Sequence, residues 1–262
     1  MIPGGPIITL TTDFGNRGSY AGALRGVLLS RCPEARLVDI THEIPPYAPL
    51  EGSLVLREAC PRFPAGTVHL AVVDPGVGGA RRPLAVLWEG HAFVGPDNGL
   101  LTPFLTGSAR AFRLHDSVAL PDASPTFHGR DLFAPAAARL ARGEPPERVG
   151  EEIRDALRIE VPRPRDDGGR LAGQILRVDR FGNLITNLER RDLEGRHGPL
   201  TVVIGRGTRV DGISRTYADG RPGDLLALFG SSGLLEIAVV RGSAAAALGA
   251  AEGDPVVLEG GT

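Results

Sequence analysis

Short β-branched runs alternate with helix-like stretches over the first part of the chain, from about residue 7 to residue 142. The β-branched runs cover residues 7–12, 37–40, 68–73 and 84–87, and the helix-like stretches cover residues 19–30, 52–59 and 130–142. Such alternation is typical of an α/β layer, because each helix returns the chain to the start of a parallel neighbour. The pattern predicts an N-terminal α/β domain with a largely parallel central sheet.

The pattern changes after a linker-like segment rich in proline, arginine and glycine, residues 162–169. Beyond it, glycine turns separate short strand-like runs at residues 174–178, 184–187, 200–204, 225–228, 235–240 and 255–258. Few helices are expected there, so the pattern predicts a smaller C-terminal all-β, barrel-like domain. We place the two domains at residues 1–165 and 170–262.

Composition narrows the class of protein. A chain of 262 residues with 42% hydrophobic content can bury the cores of two unequal domains. No stretch approaches the roughly 20 apolar residues that span a bilayer, and the first residues do not resemble an export signal. We therefore expect a cytoplasmic protein with no membrane partner. Cys32 and Cys60 lack partners at zinc-ligand spacing, and we expect them to be buried thiols without a disulfide.

The charged residues give no sign of a nucleic-acid partner. Lys+Arg number 29 against 31 Asp+Glu, a net charge of -2, and every one of these bases is arginine. The arginines are scattered and form no basic stripe with interleaved aromatic residues, as a nucleic-acid interface requires. A small-molecule ligand is the expected partner.

A glycine-rich turn from Asp74 to Arg81 follows the apolar run 68–73 and carries an acid and a base at its ends. A second acid, Asp13, follows the first β-branched run. Ligands of open α/β sheets bind at the carboxyl ends of the strands, where both acids are expected. The turn lacks the Lys and Ser/Thr of a phosphate loop and does not match the dinucleotide fingerprint.

Five charged residues lie beside glycine or proline in predicted loops: Asp13, Asp74, Arg81, His128 and Asp179. An Asp beside an Arg keeps its charge, and a nearby His can transfer a proton, so the set is suited to positioning and activating a water. Taken singly, each Asp is more often a turn former or helix cap, and His128 is as readily a helix cap as a catalytic group.

Five segments together carry a resemblance to a known family: TTDFG at 11–15, DPGVGGAR at 74–81, GPDNGL at 95–100, FHGRD at 127–131 and DRFGNLITN at 179–187. They resemble the S-adenosylmethionine hydroxide adenosyltransferase family, which is related to enzymes that fluorinate or chlorinate S-adenosylmethionine. The segments occur in order over nearly the whole chain. The resemblance implies an N-terminal α/β domain, a C-terminal β domain and a homotrimer with active sites between subunits.

The resemblance implies that Asp74, Arg81 and His128 form the family's water-activating triad. Halogenating relatives have an aromatic residue at the position of Asp74. The fluorinating enzyme has a halide-binding serine at the position of Gly129. Both differences imply hydrolysis, with adenosine and L-methionine as products. The implied reaction requires no cofactor or metal.

The resemblance also implies the substrate-binding residues. Asp13 matches the acid that binds the ribose hydroxyls, and Tyr47 matches an aromatic residue against the sugar, although an exposed packing role would also explain it. The remaining matches are Asp179 and Asn183 at the methionine amino group, Ser231 and Ser232 at its carboxylate, Phe127 in the pocket wall, and Ala244 near the adenine. Without the resemblance, the Ser231–Ser232 segment would be interpreted as a hairpin turn.

Two other functions remain open from the sequence. The chain could be a sensor that binds S-adenosylmethionine or adenosine without turnover, although an intact triad argues against that function. Alternatively, Asp13, Asp74 and His128 could bind a divalent metal in a metal-dependent hydrolase, although the charge of Arg81 would oppose a cation.

Overall fold

The computed structural model describes residues 4–196 and 198–260, and the chain divides into two compact units between Glu160 and Val161. No helix in the described ranges is long and apolar enough to cross a membrane. Cys32 and Cys60 are both buried free thiols, and burial raises the pKa of the Cys60 thiol to about 12.

The first unit is built on one seven-stranded sheet. Its strands are β1 (Ile7–Thr12), β2 (Arg36–Thr41), β3 (Val68–Val72), β4 (Pro83–Trp88), β5 (His91–Pro96), β6 (Arg110–Leu114) and β7 (Gly150–Ile153). They lie in the order β2-β1-β3-β5-β4-β6-β7. The pairs β1/β2, β1/β3 and β3/β5 are parallel, whereas β4/β5, β4/β6 and β6/β7 are antiparallel.

The sheet is therefore mixed, and the prediction of a largely parallel sheet is correct only for its first half. The change of direction occurs at the β4/β5 hairpin, where Trp88 pairs with His91 around a two-residue turn. Both turn residues, Glu89 and Gly90, have positive φ angles, of 46° and 80°. A two-residue turn of this kind matches the twist of antiparallel strands and so joins neighbours directly, without a crossover helix.

Helices cover both faces of this sheet. They are α1 (Tyr20–Arg31), α2 (Pro49–Ala59) and α3 (Ala134–Ala141). Helices α1 and α3 pack on one face, in a core that includes Leu24 and Phe133. Helix α2 packs on the other face, in a core that includes Leu56 and Phe93. Burial on both faces explains why β1 and β3 consist of apolar residues and Thr at every position except His69.

The second unit is a nearly closed antiparallel barrel, as predicted. Its strands are β8 (Arg165–Asp167), β9 (Arg170–Val178), β10 (Leu184–Glu189), β11 (Leu200–Ile204), β12 (Thr208–Asp211), β13 (Leu225–Phe229), β14 (Leu234–Val239) and β15 (Pro255–Gly260). Seven lie in the order β12-β11-β15-β9-β10-β14-β13, and β8 pairs with β9. A bridge from Ser214 to Leu228 brings the chain after β12 against β13. A short helix, α4 (Ala244–Leu248), follows β14.

Candidate active site

Two loops of the first unit bring Asp74, Arg81 and His128 together. Asp74 follows β3, Arg81 precedes β4, and His128 precedes a π-helical turn, Gly129–Phe133, that leads into α3. The side chain of His128 makes no capping hydrogen bond to that turn. Its alternative interpretation as a helix cap is therefore not supported, and the side chain instead faces the other two residues.

Asp74 and Arg81 form a buried ion pair. Arg81 Nε lies 3.0 Å from both carboxylate oxygens of Asp74, and Arg81 Nη2 lies 2.5 Å from Oδ2. The two side chains are only 5% and 8% exposed. Such a forked, charge-assisted contact fixes the plane of the guanidinium. The Arg81 guanidinium also lies 5.2 Å from the centre of the Phe133 ring.

Arg81 in turn determines the tautomer of His128. Arg81 Nη2 lies 2.7 Å from His128 Nδ1. Because a guanidinium only donates, Nδ1 must accept this hydrogen bond, and the proton of a neutral ring lies on Nε2. Burial lowers the pKa of His128 below its ordinary value of 6.5, and the positive charge of Arg81 lowers it further. His128 is therefore neutral at pH 7, with Nε2–H available as a donor.

The glycines of the 74–81 turn allow a close approach between loops. Gly78 has a φ of 75°, and a Cβ atom there would lie 2.6 Å from the backbone oxygen of Pro125. The turn therefore packs directly on the loop that leads to His128. This close approach explains why residue 78 is a glycine, and no phosphate ligand is needed to explain it.

The 95–100 segment, for which the sequence suggested no role, supports the same turn. Asn98 Nδ2 donates to the backbone oxygen of Val73 at 2.9 Å, next to Asp74. The buried Asp97 accepts hydrogen bonds from Arg82 Nε and the Leu157 backbone, each at 2.7 Å. The end of β5 thus fixes both ends of the Asp74–Arg81 turn.

Asp13 lies in the same region as Asp74. Burial raises the pKa of Asp13, and the negative charge of Asp74 adds to that effect, whereas a hydrogen bond from the Tyr47 backbone opposes it. That bond joins Tyr47 N to Asp13 Oδ2 at 3.2 Å. Tyr47 has a φ of 63° and its side chain is 75% exposed. Its backbone, rather than its ring, contacts Asp13.

The rings of Phe14, Tyr20 and Phe127 form an aromatic cluster next to Asp13 and His128 in the sequence. Phe127 lies 5.7 Å from Phe14 and 5.1 Å from Tyr20, centre to centre. A Cβ atom on Gly129 would lie 3.1 Å from the Phe14 ring, so the cluster leaves little space for a larger residue at 129. Phe127 was predicted to line a pocket, whereas the sequence analysis missed Phe14 and Tyr20. Their positions beside Asp13 and at the start of α1 were the available signal.

In the second unit, the loop after β9 is organised around Asp179. Its Oδ1 accepts hydrogen bonds from the Phe181 and Asn183 backbones, each at 2.8 Å, and its Oδ2 accepts from Asn183 Nδ2 at 3.0 Å. Asn183 is 7% exposed, whereas Phe181 is 77% exposed. Asp179 thus shapes its own loop and retains lone pairs for a ligand.

Ala244 lies beside the same loop. A Cβ atom on Gly182 would lie 2.1 Å from Ser243 Oγ, and Ala245 N donates to Gly182 O at 2.9 Å. Ser243 caps α4, of which the buried Ala244 is the first residue. The structure therefore brings together the Asp179–Asn183 loop and the start of α4.

Ser231 and Ser232 form the turn between β13 and β14, and Glu236 lies directly against it. Without the resemblance the sequence suggested only a hairpin turn here, and the structure does contain one: Gly233 N donates to Gly230 O at 3.0 Å. A Cβ atom on Gly230 would meet the Glu236 carboxylate. Glu236 is 8% exposed and accepts a 2.6 Å hydrogen bond from the Tyr217 hydroxyl. The sequence analysis missed this pair.

The described His, Cys, Asp and Glu side chains include no group of three arranged to hold a metal ion. Asp13, Asp74 and His128, the alternative metal set, are therefore not arranged as a metal site in the described ranges.

Family models match both units. The model described as SAM hydroxide adenosyltransferase N-terminal domain matches residues 8–150, and the corresponding C-terminal domain model matches residues 173–257.

Similar full-length proteins agree with these matches. An (R)-S-adenosyl-L-methionine hydrolase from Thermus thermophilus is 44% identical, over 94% of this chain and 97% of that protein. One from Salinispora tropica is 40% identical over 98% of each chain, and a fluorinase from Actinoplanes sp. is 31% identical over 90% of this chain and 91% of that protein. The crystal structure of an uncharacterized conserved protein from Thermotoga maritima matches with a TM-score of 0.89 at 34% identity, covering 96% of this chain and 99% of that one.

Proposed function

The chain belongs to the SAM hydroxide adenosyltransferase family, and on that basis we propose that it hydrolyses S-adenosyl-L-methionine to adenosine and L-methionine. The observation that carries this proposal is the buried cluster of Asp74, Arg81 and His128, joined by hydrogen bonds of 2.5 to 3.0 Å. Relatives named as hydrolases are 33–44% identical to this chain, whereas those named as fluorinases are 28–31% identical.

The reaction is a displacement at the 5′ carbon of the ribose. A water oxygen forms the new C–O bond, the C–S bond breaks, and its electron pair turns the sulfonium into the neutral thioether of methionine. The water loses one proton overall, which leaves as a product. Because the leaving group departs uncharged, the reaction needs an oriented nucleophile more than a strong acid.

Each member of the cluster has a role in this scheme. His128 donates from Nε2 to the water oxygen and holds it in line with the C–S bond, since Nδ1 already accepts from Arg81. The Arg81 guanidinium stabilises negative charge that develops on the water oxygen. Asp74 holds the guanidinium plane and balances its charge, so that the cluster does not repel the sulfonium.

The substrate contacts are proposed from the family resemblance and the local geometry. Asp13 binds the ribose hydroxyls, Tyr47 lies against the sugar, and Phe127 lines the pocket. In the second unit, Asp179 and Asn183 bind the methionine amino group, Ser231 and Ser232 its carboxylate, and the backbone near Ala244 the adenine. The adjacency of the Asp179–Asn183 loop to the start of α4 supports this grouping.

A direct assay tests the reaction and its independence of metals. Purified protein is incubated with S-adenosylmethionine, with and without a chelator, and adenosine and methionine are quantified. Equal amounts of both products, unaffected by chelator, are expected. Product formation that the chelator abolishes would indicate a metal-dependent hydrolase, and a bound ligand without any product would indicate a sensor.

Substitutions test the assigned cluster. Asp74→Asn and His128→Ala should each slow adenosine release by about 10²- to 10⁴-fold, while binding of S-adenosylmethionine stays measurable by calorimetry. Asp116→Asn and His115→Ala are the matched controls, because both residues are exposed and lie outside the cluster. Near-normal turnover of both cluster variants would contradict the assignment.

We further propose a homotrimer. The resemblance implies this assembly, and the exposed rings of Tyr47 and Phe181 are of the kind enriched at interfaces. Sedimentation velocity should give a species of three times the chain mass. A monomer at micromolar concentration would contradict the proposal.

A further inference from the structure

The end of β1 and the loop that carries Asp13, residues 12–16, are attached to the segment that follows β2, residues 42–47. Three backbone donors and one asparagine join them: Gly15 N donates to His42 O at 2.7 Å, Ile44 N to Thr12 O at 3.3 Å, and Tyr47 N to Asp13 Oδ2 at 3.2 Å. Asn16 donates to Glu43 Oε1 from both its backbone N and its Nδ2, at 3.1 and 2.6 Å. The Asp13 loop therefore depends on this neighbouring segment for its position.

A buried hydroxyl–imidazole contact lies beneath these bonds. Thr12 Oγ1 lies 2.7 Å from His42 Nδ1, and it also accepts a hydrogen bond from Phe14 N at 3.2 Å. Thr12 is fully buried and His42 is 3% exposed. The hydroxyl thus links the residues on both sides of Asp13 to the His42 ring, and neither side chain takes part in the proposed chemistry.

Charged residues fix the orientation of the ring. Arg25 Nη2 lies 3.0 Å from His42 Nε2, whereas Asp39 Oδ1 lies farther from that nitrogen, at 3.3 Å. Since the guanidinium only donates, Nε2 accepts, and Nδ1–H donates to Thr12. Asp39 forms an ion pair with Arg25 and so holds in place the guanidinium that donates to His42 Nε2.

From this arrangement we propose that Thr12 and His42 are positioning residues, which hold the Asp13 carboxylate where it can bind the ribose hydroxyls. The inference rests on the proposed function, because it assigns Asp13 to the ribose. Thr12 and His42 act through the loop and touch no substrate. A shift of about 1 Å in such a carboxylate is enough to lose much of its effect.

The same strand provides a matched control. Thr9 also lies on β1, is fully buried, and has its Oγ1 2.7 Å from Nδ1 of a buried histidine, His69. Thr12→Val and Thr9→Val therefore remove the same kind of contact from the same strand. Only Thr12 adjoins the Asp13 loop.

The measurement is the ratio of the affinities for adenosine and 2′,3′-dideoxyadenosine, determined by calorimetry on the full chain. This ratio reports the ribose hydroxyl contacts, which a purely structural defect would not change selectively. Thr12→Val should reduce the ratio about tenfold, the effect of losing a hydrogen bond to a charged group. Thr9→Val should keep the ratio within about twofold.

Substitutions of His42 give a second, independent test. His42→Leu should reduce the ratio as Thr12→Val does. His42→Asn should restore part of it, because the asparagine amide can donate from near the position of Nδ1. A wild-type ratio in both Thr12→Val and His42→Leu would overturn the inference, as would an equal loss in Thr9→Val.

Asp13→Ala separates this inference from the proposed function. If Asp13→Ala abolishes the preference for adenosine and Thr12→Val does not, only the positioning roles are wrong. If Asp13→Ala keeps the preference, the ribose assignment and the positioning roles both fail, whereas adenosine formation from S-adenosylmethionine would still support hydrolysis.

Discussion

Arg81 is the residue on which the candidate site depends most, because it contacts both Asp74 and His128. A single flexible ammonium could not make the forked contact with Asp74 and the contact with Nδ1 in one plane. The position of His128 is therefore a consequence of the geometry of arginine, and not of its charge alone.

Arg81→Lys should lower kcat by about 10²-fold or more, since it keeps the charge but loses the fork. Arg139→Lys is the matched control, because Arg139 makes a comparable fork with Glu144 at 2.7 and 2.6 Å, outside the cluster. Steady-state adenosine release measures both variants. Equal activity of the two variants would show that charge alone is sufficient.

The His128 tautomer predicts how activity depends on pH. The pKa of His128 lies below 6.5, so the ring is neutral above that pH and the rate should be flat from about pH 7 to 8. Acidification through the lowered pKa puts a proton on Nδ1, which breaks the contact with Arg81, and kcat/KM should fall. The exposed His115→Asn variant should keep the same profile. A rate that rises on acidification below pH 6 would contradict the assigned tautomer.

Among the elements, Gly78 lets the Asp74–Arg81 turn pass close to the loop before His128: a Cβ atom at residue 78 would lie 2.6 Å from the Pro125 backbone oxygen. Gly78→Ala should reduce both activity and the melting temperature, because the new methyl group meets a backbone oxygen. Gly143→Ala is the control: its φ of 81° gives the same backbone strain, but no atom lies within 4 Å of the new Cβ. Equal melting temperatures for the two variants would exclude the proposed contact.

The elements also show what the sequence could predict. Runs such as β1 and β3 were identified because both of their faces are buried, which makes them apolar or Thr-rich at every position except His69. Strand β5 was missed, and with it the antiparallel half of the sheet, because its hairpin turn is Glu89-Gly90 rather than the familiar Asn-Gly. The contact between Glu236 and Tyr217 joins residues 19 positions apart, and no local pattern predicts it.

At the scale of the whole molecule, buried histidines link stability to pH. His69 is fully buried, its Nε2 lies 3.2 Å from His91 Nδ1, and burial lowers its pKa to about 3. Between pH 6.5 and about 3 the unfolded chain binds a proton at this site that the folded chain does not. The free energy of unfolding should therefore fall as the pH falls, by at most about 1.4 kcal/mol per pH unit from this group.

Urea denaturation at pH 7 and pH 5 tests this dependence. His69→Asn can keep the hydrogen bond to Thr9 but cannot titrate, so its loss of stability between the two pH values should be smaller than that of the wild type. The exposed His115→Asn should behave as the wild type. An identical dependence in His69→Asn would show that other groups govern the acid sensitivity.

The hydrogen-bonded cluster of Asp74, Arg81 and His128 is complete within the first unit, whereas the proposed methionine contacts, Asp179 and Asn183 among them, belong to the second. On this proposed assignment, the residues that orient the nucleophile and those that hold the departing methionine lie in separate parts of the sequence. A change of nucleophile would then require substitutions in the first part alone, without any change in the residues proposed to hold the amino acid.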